Sequence, residues 1–179
     1  MPVSSEAELT ERARGVRLLV LDVDGVLTDG TLYLSASGEE LKAFNIQDGL
    51  GIKLLQAADI EVAIVTGRSS RALELRAREL GVMRVTQDVA DKLAAVTDLL
   101  EELGLAPEQA ACVGDDLPDL PLLSRCGLAV AVPEAPRWLL DRAHYVTRRA
   151  GGRGAVREVC ELLLRAQGAL PQALERYLR

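Results

Sequence analysis

The sequence predicts an α/β fold, with a mostly parallel sheet flanked by helices on both faces. Short apolar runs alternate with amphipathic segments of about 10 to 15 residues, the pattern of parallel strands joined by right-handed crossovers. With 179 residues and a hydrophobic content of 49%, the chain has the size of one domain with a substantial core. Aromatic residues make up only 3%, so we expect a core of Leu, Val, Ala and Ile.

The first half of the chain divides into two buried strands, a hairpin and two helices. Apolar runs predict the strands, and two short extended runs around a turn rich in Ser and Gly predict the hairpin. Helical spacing predicts the helices, the second with Ser69 or Ser70 as N-cap and Gly81 as C-terminal stop. The ranges are 18–22 and 61–65 for the strands, 31–44 for the hairpin, and 49–58 and 69–80 for the helices.

The second half repeats the alternation of strand and helix. Gly104 ends a helix here, and Pro107 opens the next turn. The predicted strands lie at 83–86, 110–113, 128–132 and 145–147, and the helices at 91–103 and 155–167. We expect residues 16–167 to form a single domain, with a polar segment at 1–15 and a tail at 168–179.

Composition and charge argue against several classes of protein. The formal net charge of −6 disfavours general affinity for nucleic acid, which needs a basic surface. No apolar run approaches the ~20 residues of a membrane-spanning helix, and residues 1–15 contain no apolar signal-peptide core. Cys112, Cys126 and Cys160 form no CxxC pair and are typical of buried thiols in a reducing compartment. We therefore expect a cytoplasmic protein.

Asp22 and Asp24 directly follow the first predicted strand, at the edge of a parallel sheet where ligands bind. A buried, unpaired carboxylate is strongly destabilised, so we expect its charge to be compensated, most simply by a divalent cation. Gly25 and Gly30 allow the chain to turn sharply around such a site. The alternative is an ordinary strand-ending turn, in which Asp and Gly are common.

Further polar residues follow the neighbouring strands. Thr66 ends the second buried strand, Asp115 and Asp116 end the fourth, and Lys92 begins the helix after the third. We expect these groups to converge at one edge of the sheet. Oxygen ligands favour Mg²⁺, which leaves positions open for phosphate oxygens. A carboxylate could then attack phosphorus while Thr66 and Lys92 hold the equatorial oxygens.

Each of these residues also has a structural interpretation. Asp115 and Asp116 could cap the helix that follows, and Lys92 could be a solvated lysine at a helix start. His144 is the only histidine and is expected to be structural, which leaves no histidine pair for a phosphohistidine or binuclear mechanism. The joint pattern favours chemistry, because independent structural roles would rarely place Asp-x-Asp, Thr, Lys and Asp-Asp in this order.

Four motifs resemble those of the haloacid dehalogenase superfamily in order and in placement at strand ends. They are Asp22-x-Asp24, Thr66-Gly67-Arg68, Lys92, and Gly114-Asp115-Asp116-x-x-Asp119. A closer resemblance, to the 3-deoxy-D-manno-octulosonate 8-phosphate (KDO 8-phosphate) phosphatase family, extends over residues 18–168. It implies a Rossmann-like core with a β-hairpin flap after the first strand and no separate cap domain.

The resemblance implies a reaction and a division of roles. The reaction is Mg²⁺-dependent hydrolysis of a phosphomonoester through an aspartyl phosphate, in the biosynthesis of a lipopolysaccharide precursor. Asp22 would be the nucleophile and a metal ligand. Asp24 would be the general acid and then the general base, and would offer its backbone carbonyl to Mg²⁺. Asp115 would complete the protein ligands.

Phosphoryl binding and substrate binding are also implied by the resemblance. Thr66 and Lys92 would bind the phosphoryl group, and Asp119 would orient Lys92. The implied substrate-binding residues are Asp24, Asn45, Ile46, Gln47, Asp48, Gly49, Lys53, Arg68, Arg76, Lys92 and Arg153.

The resemblance further implies a homotetramer. The hairpins at 31–44 would associate centrally and cap neighbouring sites. The glycine-rich segment at 151–154 would bring Arg153 to a neighbour's active site. Self-association would then build part of the substrate pocket.

Three departures from the family pattern leave the substrate open. Ile46 and Gln47 stand where the family has Thr-Arg, and Lys53 stands where it has Arg. A lysine replaces the planar, bidentate guanidinium imperfectly in binding a sugar carboxylate. The related phosphatases of nonulosonate (sialic-acid-like) 9-phosphates share the same motifs and are the alternative.

Two hypotheses from other classes also remain. A receiver-type phosphoacceptor uses an acidic cluster, Thr and Lys on a parallel sheet, but its acidic pair consists of adjacent residues and its acceptor lies on a later strand. The Asp-x-Asp spacing here keeps Asp24 available for acid–base chemistry and favours turnover. A catalytically retired oligomeric module would have no reason to keep Asp24.

Overall fold

The computed structural model describes residues 5–175 and 177–178, and a six-stranded sheet forms its centre. The strands of the molecule are β1 (Leu18–Leu21), β2 (Tyr33–Leu34), β3 (Glu40–Leu41), β4 (Glu61–Val65), β5 (Arg84–Thr86), β6 (Ala110–Gly114), β7 (Leu128–Ala131) and β8 (Tyr145–Val146). The sheet has the spatial order β5-β4-β1-β6-β7-β8, and each neighbouring pair is parallel. Strands β2 and β3 form a separate antiparallel hairpin.

Helices flank this sheet and are connected by short turns. They are α1 (Glu6–Gly15), α2 (Ile46–Gln56), α3 (Arg71–Leu80), α4 (Lys92–Leu103), α5 (Leu120–Leu123), α6 (Arg137–Leu140), α7 (Ala155–Ala166) and α8 (Leu170–Glu175). Helix α7 packs against both α1 and α2, while α4 packs against α5 and the sheet. The predicted fold class is confirmed.

Strand β1 lies between β4 and β6, so three strand ends meet at one edge of the sheet. In register, Leu21 of β1 lies opposite Ile64 of β4 and Val113 of β6. All four residues of β1 are buried. The polar residues that follow these three strands therefore emerge side by side, as the sequence predicts.

Helix α2 begins three residues earlier than the spacing predicts. Asn45 caps it, because the Asn45 side chain accepts hydrogen bonds from the backbone N–H groups of Gln47 at 2.8 Å and Asp48 at 3.4 Å. The apolar spacing gave no sign of this polar first turn. The cap brings the segment from Asn45 to Gly49 into a helix N-terminus.

Helices α1 and α8 lie in the two terminal segments, for which the sequence analysis predicts no helix. Helix α1 begins with a capping box between Ser5 and Glu8, and buries Leu9 and Ala13. Helix α8 lies within the predicted tail. Helix α1 is predominantly polar and buries only Leu9 and Ala13, and α8 is six residues long and buries none, so apolar periodicity is weak in both. The division into segments at 16 and 168 stays a prediction.

The predictions about membrane-spanning segments, the three cysteines and the single histidine concern the rest of the chain. Among the described residues, no helix combines the length and the apolar character that crossing a bilayer requires. Cys112, Cys126 and Cys160 are buried free thiols. The Nδ1 atom of His144 accepts a hydrogen bond from the backbone N–H of Ala129 at 2.9 Å, which is a structural use of the imidazole.

Candidate active site

Three carboxylates and one ammonium group converge at the edge of the sheet where β1 and β6 end. Single carboxylate oxygens of Asp22, Asp115 and Asp119 all lie within 4.8 Å of one another. The Lys92 ammonium at the start of α4 donates to Asp22 at 2.7 Å and to Asp119 at 2.6 Å. Asp22, Lys92 and Asp119 are buried. The cluster therefore concentrates negative charge on side chains that are buried or, for Asp115, partly buried.

Burial and mutual repulsion perturb the acids of this cluster. Burial, assisted by the charge of Asp119, raises the pKa of Asp22 to about 6. Burial and the charge of Asp22 raise the pKa of Asp115 to about 8. Burial alone would lower the pKa of Lys92, but the charges of Asp22 and Asp119 outweigh it and raise that pKa. One ammonium group does not compensate three carboxylates.

A divalent cation fits the oxygens that remain. Both oxygens of Asp119 are engaged, Oδ1 by Lys92 and Oδ2 by the backbone N–H of Asp115 at 3.0 Å. Asp22 and Asp115 therefore provide the carboxylate oxygens left for an ion, a donor set suited to Mg²⁺. A Cβ atom on Gly25 would lie 2.0 Å from Asp115 Oδ2, so only glycine lets the chain pass this close.

Thr66 lies buried where β4 ends. Its Oγ1 accepts a hydrogen bond from the backbone N–H of Arg68 at 3.3 Å and makes no other hydrogen bond within the described residues. The hydroxyl proton is thus free to be donated to an incoming oxygen. That Thr66 and Lys92 bind a phosphoryl group at this edge stays a prediction, for which both side chains have the required donor.

Asp24 faces a second group of charges, contributed largely by the hairpin. Its Oδ1 accepts a hydrogen bond from Lys42, and its Oδ2 lies 3.5 Å from Nε of Arg68. Glu40 on β3 accepts from Arg68 at 2.8 Å and lies 3.5 Å from Lys42 Nζ. Asp24, for which the sequence predicts acid–base chemistry, is thus one of four charges of alternating sign, with Lys42 and Arg68 beside it and Glu40 between those two cations.

Sequence reasoning missed Lys42 and Glu40. A short polar extended run reads as an exposed hairpin edge, and charge on such an edge is common in natural sheets. One signal was present, because Lys42 is one of only three lysines in the chain. Its side chain is nevertheless only 3% exposed, which no sequence pattern of this length could reveal.

The predicted substrate residues from Asn45 to Gly49 form the first turn of α2 and its cap. Ile46 is 81% exposed, and the side-chain oxygen of Gln47 accepts from Arg149 at 2.9 Å. Asp48 is buried, and its Oδ1 accepts from the backbone N–H of Arg157 at 2.7 Å. The Asp48 carboxylate therefore contacts α7, while Ile46 faces outward.

The other predicted substrate cations occupy different surroundings. Arg76 is half-buried, and its Nη2 donates to the backbone carbonyl of Asn45 at 3.4 Å. Arg153 is 71% exposed and lies 3.5 Å from Asp29 Oδ2. Lys53 is exposed in the last turn of α2, where it forms no ion pair with any residue that the structure describes. Lys53 and Arg153 thus stand apart from the carboxylate cluster.

Asp116 does not join the cluster, although the sequence analysis expects it to converge there. It is exposed, and its Oδ1 accepts from the backbone N–H of Leu117 at 2.8 Å at the start of a 3₁₀ turn. Asp119, one turn later, takes the place near Lys92. The physical reason is that capping satisfies the backbone at this turn.

Comparisons with known proteins agree with this geometry. Residues 78–158 match the family model for haloacid dehalogenase-like hydrolases. The 3-deoxy-D-manno-octulosonate 8-phosphate phosphatase of Escherichia coli K12 is 55% identical over 172 residues, which cover 96% of this chain and 90% of the relative. The chain belongs to the haloacid dehalogenase-like hydrolase family.

Solved structures of this family superpose closely on the chain. A 3-deoxy-D-manno-octulosonate 8-phosphate phosphatase from Moraxella catarrhalis, crystallised with a magnesium ion, a phosphate ion and KDO, has a TM-score of 0.95 and 40% identity. The match covers 97% of this chain and 99% of that one. The Yersinia pestis phosphatase has a TM-score of 0.90 and 53% identity, covering 92% of this chain and 89% of the other. The likeness extends over the whole fold.

Proposed function

We propose that this haloacid dehalogenase-like hydrolase is a Mg²⁺-dependent phosphatase that hydrolyses KDO 8-phosphate to KDO and phosphate. The observation that carries the proposal is the likeness of nearly the whole chain to an enzyme crystallised with magnesium, phosphate and KDO. The cluster of Asp22, Asp115 and Asp119 around Lys92 has the chemistry this reaction needs. Such a reaction belongs to lipopolysaccharide precursor biosynthesis.

The first step transfers the phosphoryl group to the enzyme. A carboxylate oxygen of Asp22 attacks phosphorus, and the bond from phosphorus to the sugar oxygen breaks. Asp24 donates its proton to the departing alkoxide, so the sugar leaves as an alcohol. The products of this step are the free sugar, an aspartyl phosphate on Asp22 and a deprotonated Asp24.

The second step releases phosphate and restores both aspartates. Asp24 now accepts a proton from a water molecule, whose oxygen attacks phosphorus. The bond between phosphorus and the Asp22 oxygen breaks, which regenerates the carboxylate. The two attacks on phosphorus thus use different nucleophiles, first Asp22 and then water, while Asp24 transfers a proton in each step. The protein ends each cycle unchanged.

The remaining residues position and stabilise the transferred group. The carboxylates of Asp22 and Asp115 and the Asp24 carbonyl would hold Mg²⁺, which would supply positive charge to offset the repulsion between the nucleophile and the phosphate. Thr66 and Lys92 donate to the equatorial phosphoryl oxygens. Asp119 holds Lys92 at 2.6 Å and keeps the ammonium between the two acids.

Recognition of the sugar falls on the first turn of α2 and on nearby arginines. A carboxylate and several hydroxyls on the sugar call for cations and polar groups, which Asn45, Arg68 and Arg76 offer at the open edge. Ile46 and Gln47 provide no guanidinium group to bind the carboxylate of the sugar, so the preference for KDO 8-phosphate is less strongly determined. A nonulosonate 9-phosphate is therefore the second candidate substrate.

Self-association as a homotetramer completes the proposal. The hairpin exposes Leu34 and Leu41 by 65% and 66%, an apolar surface suited to pairing with another copy. Arg153 is 71% exposed, and its one ion-pair contact in the described residues is to Asp29 at 3.5 Å, so its side chain could extend to a neighbouring site. Buried free thiols agree with a cytoplasmic, reducing location.

Parallel turnover assays test the proposed substrate. Purified protein with Mg²⁺ is given KDO 8-phosphate and, separately, a nonulosonate 9-phosphate, and phosphate release is followed. We expect faster release from KDO 8-phosphate, and loss of release when EDTA is present. Preference for the nine-carbon substrate would transfer the assignment to it. A long-lived aspartyl phosphate without turnover would support a receiver-type phosphoacceptor instead.

A further inference from the structure

Lys42 is a buried cation in direct contact with the predicted proton donor. Its side chain is only 3% exposed, and it donates to Oδ1 of Asp24. A lysine ammonium this deeply buried is unfavourable unless anions pair with it. Asp24 provides one such partner, and Glu40 at 3.5 Å provides the other. The hairpin therefore places a buried ammonium group against Asp24, in the loop that follows β1.

The two oxygens of Asp24 are not equivalent in this arrangement. Oδ1 is occupied by Lys42, which can only donate hydrogen bonds. Oδ2 is buried and has no hydrogen-bond partner within the described residues. Arg68 Nε approaches it only to 3.5 Å. A proton carried by Asp24 is therefore placed on Oδ2, the oxygen without a hydrogen bond among the described residues, because Oδ1 already faces the Lys42 donor.

We propose that Lys42 is a positioning residue that holds Asp24 with Oδ2 directed to proton transfer. This inference rests on the proposed phosphatase reaction, in which Asp24 protonates the leaving oxygen. Proton transfer requires a heavy-atom separation of about 2.6–3.2 Å. A carboxylate free to rotate about its side-chain bonds meets that requirement only part of the time. Lys42 removes this freedom by binding the other oxygen.

The hairpin gains a second role from this contact. Lys42 follows β3 directly, so the placement of β2 and β3 decides whether Asp24 is held. The purely structural alternative is that Lys42 only fastens the hairpin to the domain. The two roles differ in which step they affect, because fastening the hairpin would influence every substrate alike. In the first step, which releases the leaving group, positioning of Asp24 influences only substrates whose leaving group needs a proton.

The experiment compares two leaving groups in the first turnover of the full-length protein with Mg²⁺. The sugar of KDO 8-phosphate leaves as an alkoxide that needs a proton, whereas the nitrophenolate of p-nitrophenyl phosphate leaves as an anion. For Lys42→Met we expect sugar release to slow by about tenfold to hundredfold and nitrophenolate release by less than about threefold. The uncharged donor variant Lys42→Gln should lie between wild type and Lys42→Met.

Controls separate the possible failures. Arg71→Met replaces an exposed cation paired with Glu74 and should leave both rates unchanged. Equal slowing of both leaving groups by Lys42→Met, or loss of the folded state in both Lys42 variants, would overturn the positioning role and leave the phosphatase proposal intact. A wild-type protein that cleaves neither ester would overturn the proposed function and this inference together.

Discussion

At the scale of single residues, the edge of the sheet where β1 and β6 end has more carboxylates than cations. Asp22, Asp115 and Asp119 share one ammonium group, from Lys92. Asp119 is fully committed to hydrogen bonds, which leaves Asp22 and Asp115 facing each other. The same residues that make the site unfavourable without metal make it a suitable place for Mg²⁺ and a phosphoryl group. Two predictions belong to this scale.

The first concerns Asp119, which we assign to holding Lys92. Asp119→Asn keeps the shape, but its single oxygen can accept from either the Asp115 N–H or Lys92 and not from both, and the ion pair to Lys92 is lost. We expect kcat to fall by about tenfold to hundredfold, as for other residues that orient metal-site groups. Steady-state kinetics with saturating Mg²⁺ measures this, and Asp98→Asn on the exposed face of α4 is the control. An unchanged kcat would remove Asp119 from the mechanism.

The second prediction is that the effect of Mg²⁺ on the stability of the folded protein depends on pH. The pKa values of Asp22 and Asp115 rise from a usual 3.8 to about 6 and about 8 in the folded, metal-free protein. The folded state thus retains protons that the unfolded chain releases. Stability from these groups is present below about pH 4 and is lost as pH rises through about 6 to 8. Mg²⁺ replaces the protons and removes this loss.

We therefore expect the rise in Tm caused by Mg²⁺, relative to EDTA, to increase between about pH 5 and about pH 8. Thermal unfolding in matched buffers measures it. Asp115→Asn removes one of the two raised carboxyls and should flatten the dependence. A metal effect that is constant or shrinks over this range would show that the cluster is not the Mg²⁺ site.

At the scale of elements, the loop after β1 is held between the hairpin and the turn before α7. The backbone N–H of Gly152 donates to the carbonyl of Val26 at 2.9 Å. A Cβ atom on Gly151 would lie 1.7 Å from the Gly25 carbonyl oxygen, so the two backbones are in close contact. The turn that leads into α7 is therefore in direct backbone contact with the loop after β1, which carries Asp24.

Asp48 anchors the start of α7. The N-cap of α7 is Gly154, which has no side chain and a φ of +106°. Asp48 of α2 performs the capping instead by accepting from the backbone N–H of Arg157. We expect Asp48→Ala to lower the free energy of unfolding by about 1 kcal/mol, whereas Asp48→Asn keeps the acceptor and loses less.

Urea unfolding of both Asp48 variants measures this difference. The Asn variant is also the matched control, since it has the same size but no charge. Because burial raises the pKa of Asp48, the buried carboxylate is itself disfavoured, and the neutral amide avoids that penalty. Equal destabilisation by Ala and Asn would show that charge, and not the hydrogen bond, holds α7.

Sequence alone predicts the parallel strands and most of the catalytic edge, because each depends on local pattern. Asp22, Thr66 and Lys92 were expected to converge since strand ends in a parallel sheet share one edge. Lys42 and the cap by Asp48 were not predictable in this way. Both contacts join residues far apart in the chain, Lys42 to Asp24 and Asp48 to Arg157, and no local spacing records them.

At the scale of the whole molecule, the described chain leaves its catalytic edge open to solvent on the side of the hairpin and Arg153. Arg68 beside Asp24 is 49% exposed, and Arg153 is 71% exposed. An enzyme that protects an aspartyl phosphate needs a better enclosed site. In the homotetramer that we propose, a neighbouring subunit would enclose this side of the site.

Subunit mixing tests whether Arg153 acts across an interface. Asp22→Asn and Arg153→Ala proteins are dissociated, mixed and reassembled. We expect the mixture to exceed the summed activities of the two variants, because some sites combine an intact Asp22 with a neighbour's intact Arg153. Mixing Asp22→Asn with Lys92→Met is the control, since both lesions lie in one subunit's site and no gain is expected. An absence of gain in the first mixture would place Arg153 in its own subunit's site.

The central claim is that Asp22 attacks phosphorus while Mg²⁺ is bound beside it. Phosphate release from KDO 8-phosphate by wild-type protein and by Asp22→Asn, each with Mg²⁺, tests it most directly. Wild type should turn over, and the variant should lose activity by about a thousandfold or more while remaining folded. Hydrolysis by Asp22→Asn at the wild-type rate would contradict the account.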